Sequence, residues 1–252
     1  MPARVTWIGH ATVLIEMDGM RILTDPVLRD CIGPLRRRAK KPHFGRLGHL
    51  DAILISHLHL DHCDLPSLRL LHSSTRVIGP PGTAKLLAKC GFSEVDDVKK
   101  DLCLRVGDVK ITTTHAEHDG QRHPLSPDTS DSIGYVLRGE SAIYFAGDTS
   151  YFGHMDKIGG DLDLALLPIS AWAPQIKFEE HMSPGLAAES LRLLRPRIAV
   201  PIHWGTFYPM GLARIWPRPL AHPPVAFARE VGRLALETEV RIVPPGQGTA
   251  LH

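Results

Sequence analysis

The chain has no apolar run long enough to span a bilayer, no tract of low complexity, no linker rich in glycine and serine, and no heptad pattern. These absences argue against a membrane helix, a flexible multidomain array and a coiled coil. Cysteine is scarce: Cys31, Cys63, Cys90 and Cys103 are scattered with no C-x-x-C spacing. That pattern describes thiols in a reducing compartment and not a disulfide framework. Charge of one sign is also missing. The formal net charge is +2 over 252 residues, too small to demand a polyanionic partner, so no nucleic acid is expected. The first residues, Met1 to Trp7, enter a strand pattern without an apolar signal core, and a cytoplasmic location is the expectation.

What is present is concentrated in residues 56–64, Ser-His-Leu-His-Leu-Asp-His-Cys-Asp. His57, His59, Asp61 and His62 fall within six positions, directly after the apolar run Ala52–Ile55. A lone histidine is usually a surface or satisfied core residue. Three imidazoles and a carboxylate at the end of a buried strand are instead the ligand types of a mixed N/O zinc site. In extended chain, residues two apart share a face, so His57 and His59 can hold one ion. A turn after them lets the pair Asp61 and His62 face a second. Cys63 reads as a buried bystander, because the histidines already supply enough ligands.

Around this motif the chain reads as a single α/β domain over residues 1–252. Strands are expected over Thr12–Glu16 and Arg21–Thr24 about the Asp18-Gly19 turn, then 51–56, 76–79, 102–114, 132–137, 142–146, 162–168, 197–202 and 240–243. Helices are expected over 65–71, 81–90 ended by Gly91, 184–194 capped by Ser183, and 225–236. Hairpins in each half, with helices between the later strands, suggest two packed sheets with helices outside, a four-layer αβ/βα sandwich.

Further strand ends carry ligand-type residues: His10 after Val5–Gly9, His115 and His118 after Ile111–Thr114, Asp148 after Ile143–Gly147, and His203 after Ile198–Ile202. Ligands at several strand ends converge on one edge of a sheet. His10 and Asp25 read as residues that orient ligands. His123 and His154 read as surface residues.

Taken together, His-x-His-x-Asp-His, a later strand-end His, Gly-Asp and a late strand-end His resemble the metallo-β-lactamase-fold hydrolase superfamily. Trp7–Thr12, Leu23–Val27, Phe145–Thr149, His181–Pro184 and Pro201–Phe207 are similar to the branch containing L-ascorbate-6-phosphate lactonases and N-acyl-phosphatidylethanolamine phospholipase D. The resemblance implies two metal ions, Zn²⁺ first, with Mn²⁺ or Fe as alternatives. His57, His59 and the third-block histidine would hold one ion. Asp61, His62 and His203 would hold the other, and Asp148 would bridge them. Cations roughly 3.5–4 Å apart need an anionic bridge to offset their repulsion. A hydroxide between them would be the nucleophile, oriented by Asp61. The branch pattern Pro-Ala-x-His aligns Ala116-Glu117-His118 with the ligand, favouring His118 over His115. It also implies that His181, just before a helix start, binds the leaving group or donates a proton.

Three functions follow from this reading. The first is hydrolysis of a small-molecule lactone, ester or phosphoester; the basic run Arg36–Lys41 is either a solvated loop or a holder of an anionic or phosphate-bearing substrate near the site. The second is a phosphodiesterase on lipid or nucleic acid. For lipid, an interfacial element is expected within Phe207–Phe227, whose prolines argue against a long continuous helix. The third is a non-catalytic metal-binding or sensor protein, which a complete ligand set argues against. A homo-oligomer is compatible with all three. Specificity is expected in loops 28–46, 119–131 and 205–224.

Overall fold

A computed structural model describes residues 2–40, 47–120, 122, 130–169 and 181–251. The chain opens with an antiparallel meander, β1 (Arg4–Gly9), β2 (Thr12–Met17) and β3 (Met20–Thr24). The β2–β3 turn is Asp18-Gly19, both at positive φ (50° and 76°), the backbone that a two-residue hairpin requires. A small hairpin follows, β4 (Cys31–Ile32) and β5 (Leu35–Arg37). The motif strand is β6 (Ala52–Leu54), and after it come α1 (Leu65–Leu68), β7 (Arg76–Gly79), α2 (Thr83–Leu87) and β8 (Val95–Asp97).

The second half contains β9 (Cys103–Val106), β10 (Val109–Asp119), β11 (Asp131–Arg138), β12 (Ala142–Phe145), β13 (Leu164–Pro168), α3 (Pro184–Leu194) and β14 (Ile198–Ile202). It ends with β15 (Phe207–Pro209), α4 (Arg218–Arg233), β16 (Glu239–Val240) and β17 (Gln247–Ala250). Two seven-stranded sheets result, ordered β17-β1-β2-β3-β6-β7-β8 and β16-β14-β13-β12-β11-β10-β9, with β15-β5-β4 as a third, small sheet.

Strand periodicity explains the layering. In β6, Ala52 and Leu54 face the shared core between the sheets while Ile53 faces the opposite side with α1 and α2 residues Leu68, Leu86 and Leu87. In β13 and β14, Leu164, Leu166, Ile198, Val200 and Ile202 join the inter-sheet core, and Ala165, Leu167 and Ala199 pack with Ala187, Ala188 and Leu191 of α3 and Phe227 of α4. Strands covered on both faces read as continuous apolar runs. This is the αβ/βα sandwich expected from the sequence.

Several boundaries differ from expectation. The run Arg36–Lys41 is not simply loop: Arg36 and Arg37 lie in β5, which pairs with β15 (Phe207↔Arg37, Tyr208↔Arg36). Arg37 is buried, donates to the carbonyls of Val27 (2.6 Å) and Arg29 (3.1 Å) and lies over the Phe207 ring, so it is a structural clamp and not a solvated charge. Burial lowers its pKa to about 10. Lys41 and His123 lie outside the described residues.

The expected strand 240–243 shrinks to Glu239–Val240. Ala199 O accepts from Arg241 N (3.0 Å), so the N–H that Pro201 lacks, two residues along β14, faces the same side and ends the ladder. Helix α4 begins at Arg218 and not at Val225. Its early proline occupies the first turn, where no donor is needed, and Pro223 and Pro224 each omit one ladder bond without breaking the helix.

Directions matter for the site. β1 is parallel to β3 through their shared antiparallel partner β2, β3 is parallel to β6 and β7, and β12, β13 and β14 run parallel. Their C-terminal ends therefore gather His10, Asp25, Ser56-His57, Gly147-Asp148 and His203 at one edge.

Gly147 marks how tightly that edge is packed. It has φ +63°, and a Cβ there would meet the Ser56 Cβ at 2.5 Å. Gly147→Ala is expected to destabilise the fold by about 2 kcal/mol or more in denaturant unfolding. Gly153→Ala, with nothing within 4 Å, should be near neutral; equal effects would contradict this packing.

Candidate metal centre

The loop after β6 folds back on itself: His62 N and Cys63 N both donate to His59 O (3.1 and 2.8 Å). This turn separates the pair His57 and His59 from Asp61 and His62, as the spacing suggested. The ligand atoms of His57, His59 and His118 lie within 4.8 Å of one another, and so do those of His10, Asp61, His62 and His203. His57, His62 and Asp148 form an overlapping group, as do His118, Asp148 and His181. Every expected site residue is thus brought into one connected cluster.

Asp148 stands at its centre. Its Oδ2 lies 3.2 Å from His62 Nε2 and 3.5 Å from His181 Nδ1, and its Oδ1 lies 3.3 Å from His203 Nε2. Asp61 Oδ2 is 3.1 Å from His10 Nε2. His203 takes φ 62°, a strained backbone for a non-glycine residue. Its N–H donates to His10 O (3.0 Å), and His10 N donates to Thr206 Oγ1 (2.7 Å), so the two strand ends brace each other.

The geometry places His115 and His118 differently. The strand does not end at His115, as expected, but runs to Asp119. His115 pairs with Ile133 and Asp119 with Asp131, so two extra residues bulge from β10 between them. The bulge resets the face. His118 Nε2 comes 3.2 Å from His59 Nδ1, while His115 is half-exposed, pairs with Glu117 (3.0 Å) and packs on Phe152. Cys63 is buried with its thiol pushed up to about 12, chiefly by burial, and belongs to no candidate metal group among the described residues. His154 is exposed.

Burial, then the neighbouring imidazoles, pushes His57 and His203 well below the ordinary histidine range, and His59 to about 4. These rings are free bases with lone pairs available at neutral pH. Burial opposes ionisation of Asp148 and Asp61, but the histidines around them hold both well below the usual carboxylate range. His62 is the exception: burial disfavours its charge, yet Asp148, Asp25 and Asp61 hold it well above the ordinary value.

A direct test of fit is the state of the buried polar atoms. His57 Nε2, His62 Nε2, Asp148 Oδ1 and both ring nitrogens of His203 are buried without a hydrogen-bond partner. Orphaned polar atoms are rare because each costs roughly 1–3 kcal/mol. Several converging on one point fit divalent cations.

Two residues in this region were not singled out from the sequence. Ser56 looks like an ordinary polar residue at a strand end; its only signal is its place between a buried strand and His57. Arg122 is buried and donates to Leu58 O (2.8 Å) and Cys63 O (3.2 Å), clamping the motif loop; no spacing marks it.

The comparisons with known proteins agree with this geometry. Residues 20–204 match the family model described as the beta-lactamase superfamily domain. A UPF0173 metal-dependent hydrolase of Rubrobacter xylanophilus is 34% identical over 254 residues, covering 97% of this chain and 95% of that protein. The N-acyl-phosphatidylethanolamine-hydrolyzing phospholipase D 1 of Caenorhabditis elegans is 32% identical over 238 residues, covering 85% of this chain and 67% of the relative. The metallo hydrolase Igni18 of Ignicoccus hospitalis superposes with TM-score 0.76 at 23% identity, covering 100% of this chain and 99% of that one. The chain belongs to the metallo-β-lactamase superfamily of metal-dependent hydrolases.

His118→Ala is expected to lower the metal content of the purified protein, measured by elemental mass spectrometry. His115→Ala should leave it unchanged, and the reverse pattern would overturn the choice between them.

Proposed function

We propose that this chain is a dinuclear metal-dependent hydrolase acting on a small-molecule lactone, ester or phosphoester. The observation that carries the reading is the set of buried polar atoms without hydrogen-bond partners gathered about Asp148. In this reading His57, His59 and His118 hold one ion, Asp61, His62 and His203 hold the other, and Asp148 faces both. Zn²⁺ suits the mixed N/O donors. Bound divalent cations lower the pKa of water to near neutrality and polarise the oxygen that gains charge.

The chain's own groups supply the rest. Asp61 is partly exposed (26% for its side chain) and held by His10, so one carboxylate oxygen can orient an incoming water. His181 is 28% exposed, the open side of the cluster, where a leaving group can take a proton from its ring. A centre with open positions and a reachable proton donor favours catalysis over a purely structural metal role.

The purified protein is expected to contain two zinc equivalents and to turn over members of a lactone panel in preference to bis-p-nitrophenyl phosphate. His203→Ala should lose one equivalent, and unchanged occupancy would sink the ligand assignment. His181→Ala should keep both and lose roughly 10²–10⁴ in kcat. Two bound ions with no turnover on any panel member would favour the non-catalytic alternative.

A second reading, a phosphodiesterase on lipid, is favoured by one surface. Ile215 is 82% exposed, Met210 60% and Trp216 48%. Trp216 O accepts from Tyr208 Oη (2.7 Å), and Tyr208 pairs with Arg36 across β5–β15. Exposed apolar side chains therefore lie on the segment that follows β15, which pairs with β5, where Arg36 is exposed, and next in sequence to the exposed Arg214, a combination suited to an anionic bilayer surface. It is also where a relative named for hydrolysing N-acyl-phosphatidylethanolamine becomes relevant. Under this reading the protein co-sediments with anionic vesicles, and Ile215→Ser with Trp216→Ala reduces binding; no binding at low salt would remove it.

A further inference from the structure

Asp25 is fully buried at the end of β3, and Ser56 is 1% exposed at the end of β6. Three donors converge on the Asp25 carboxylate. Ser56 N donates to Oδ1 (2.7 Å), Ser56 Oγ donates to Oδ2 (2.6 Å), and His62 Nδ1 lies 2.7 Å from the same Oδ2. Ser56 Oγ also lies 2.9 Å from His57 Nδ1. The backbone fixes both residues: Asp25 N donates to Leu54 O (2.9 Å), and Ser56 O accepts from Ile133 N (3.0 Å).

With Asp25 ionised by the three donors it accepts from, proton counting assigns the rest. A carboxylate that accepts from every neighbour leaves the single Ser56 hydroxyl proton pointing at Asp25. The remaining lone pair of Ser56 Oγ must accept, so His57 carries its proton on Nδ1. His62 Nδ1 likewise donates to Asp25. In both rings Nε2 is the atom left facing the cluster, and these are two of the buried atoms without a hydrogen-bond partner.

We propose that Asp25 and Ser56 form one proton-orienting relay that sets His57, through the serine hydroxyl, and His62, directly, with Nδ1 protonated and Nε2 turned to the metals. In the dinuclear reading, on which this rests, His57 and His62 belong to different ions. One carboxylate therefore presets a ligand of each, and Ser56 is a positioning residue for the first ion alone. Gly147 makes the arrangement sterically feasible, since a side chain there would displace Ser56.

The test is nitrogen NMR of histidine tautomers in the metal-free protein, paired with zinc titration against a competing chelator. Wild-type His57 should be neutral with its proton on Nδ1. Ser56→Ala should move His57 toward the Nε2-protonated form and leave His62 unchanged. It should weaken one zinc by roughly 10- to 100-fold, the usual effect of losing a partner behind a ligand. Asp25→Asn should weaken both ions. A wild-type His57 protonated on Nε2, or a Ser56→Ala spectrum identical to wild type at His57, overturns the relay. If Ser56→Ala does not fold, the wild-type spectrum alone decides. A protein that binds fewer than two ions while His57 remains protonated on Nδ1 overturns the dinuclear reading and leaves the relay standing.

Discussion

Burial of Asp148 among the imidazoles that converge on it is the constraint on which this structure depends. A carboxylate 2% exposed, facing histidine nitrogens of which several are buried without a hydrogen-bond partner, is costly as a folded core. Its retention at the end of a central strand makes sense if cations complete the cluster. Part of the stability of the assembled fold then comes from binding, because ligands held in place before the ion arrives lose little freedom when it does.

The sandwich supplies that preorganisation. Both sheets deliver their site residues from strands running in the same direction, and the inter-sheet core of Trp7, Leu54, Ile78, Tyr135, Phe145 and Val200 locks the strand ends in register. Tyr135 shows the coupling: from the second sheet, its hydroxyl donates to Ile55 O (2.7 Å), the residue just before the motif. Positions that pay for geometry with strain lie at the same edge, among them His10 at φ 57°, Asp25 at φ 34° and His203 at φ 62°. Such backbone persists only where its surroundings over-determine it.

Much of this was legible in the sequence, because strand-end ligands and two-faced apolar runs are local signals. His57, His59, Asp61, His62, Asp148 and His203 all follow apolar runs and all reach the cluster. What was not legible depends on distant pairing. β5 is short and charged, and its partner β15 lies some 170 residues away, so the burial of Arg37 could not be read from a basic run open between a solvated loop and a substrate contact. β17 (Gln-Gly-Thr-Ala) has almost no apolar content and exists because β1 offers an edge. His118 was placed by resemblance; strand alternation alone could not place it, because the bulge in β10 breaks the period of two. Ser56 carries no signal until Asp25 and His57 are seen on either side of it.

Anomalous diffraction from zinc-soaked crystals tests the central claim most directly. Data collected on both sides of the zinc edge should show two peaks, one within reach of His57, His59 and His118 and one within reach of Asp61, His62 and His203, with Asp148 touching both. A single peak, or two peaks of which Asp148 touches neither, would contradict it.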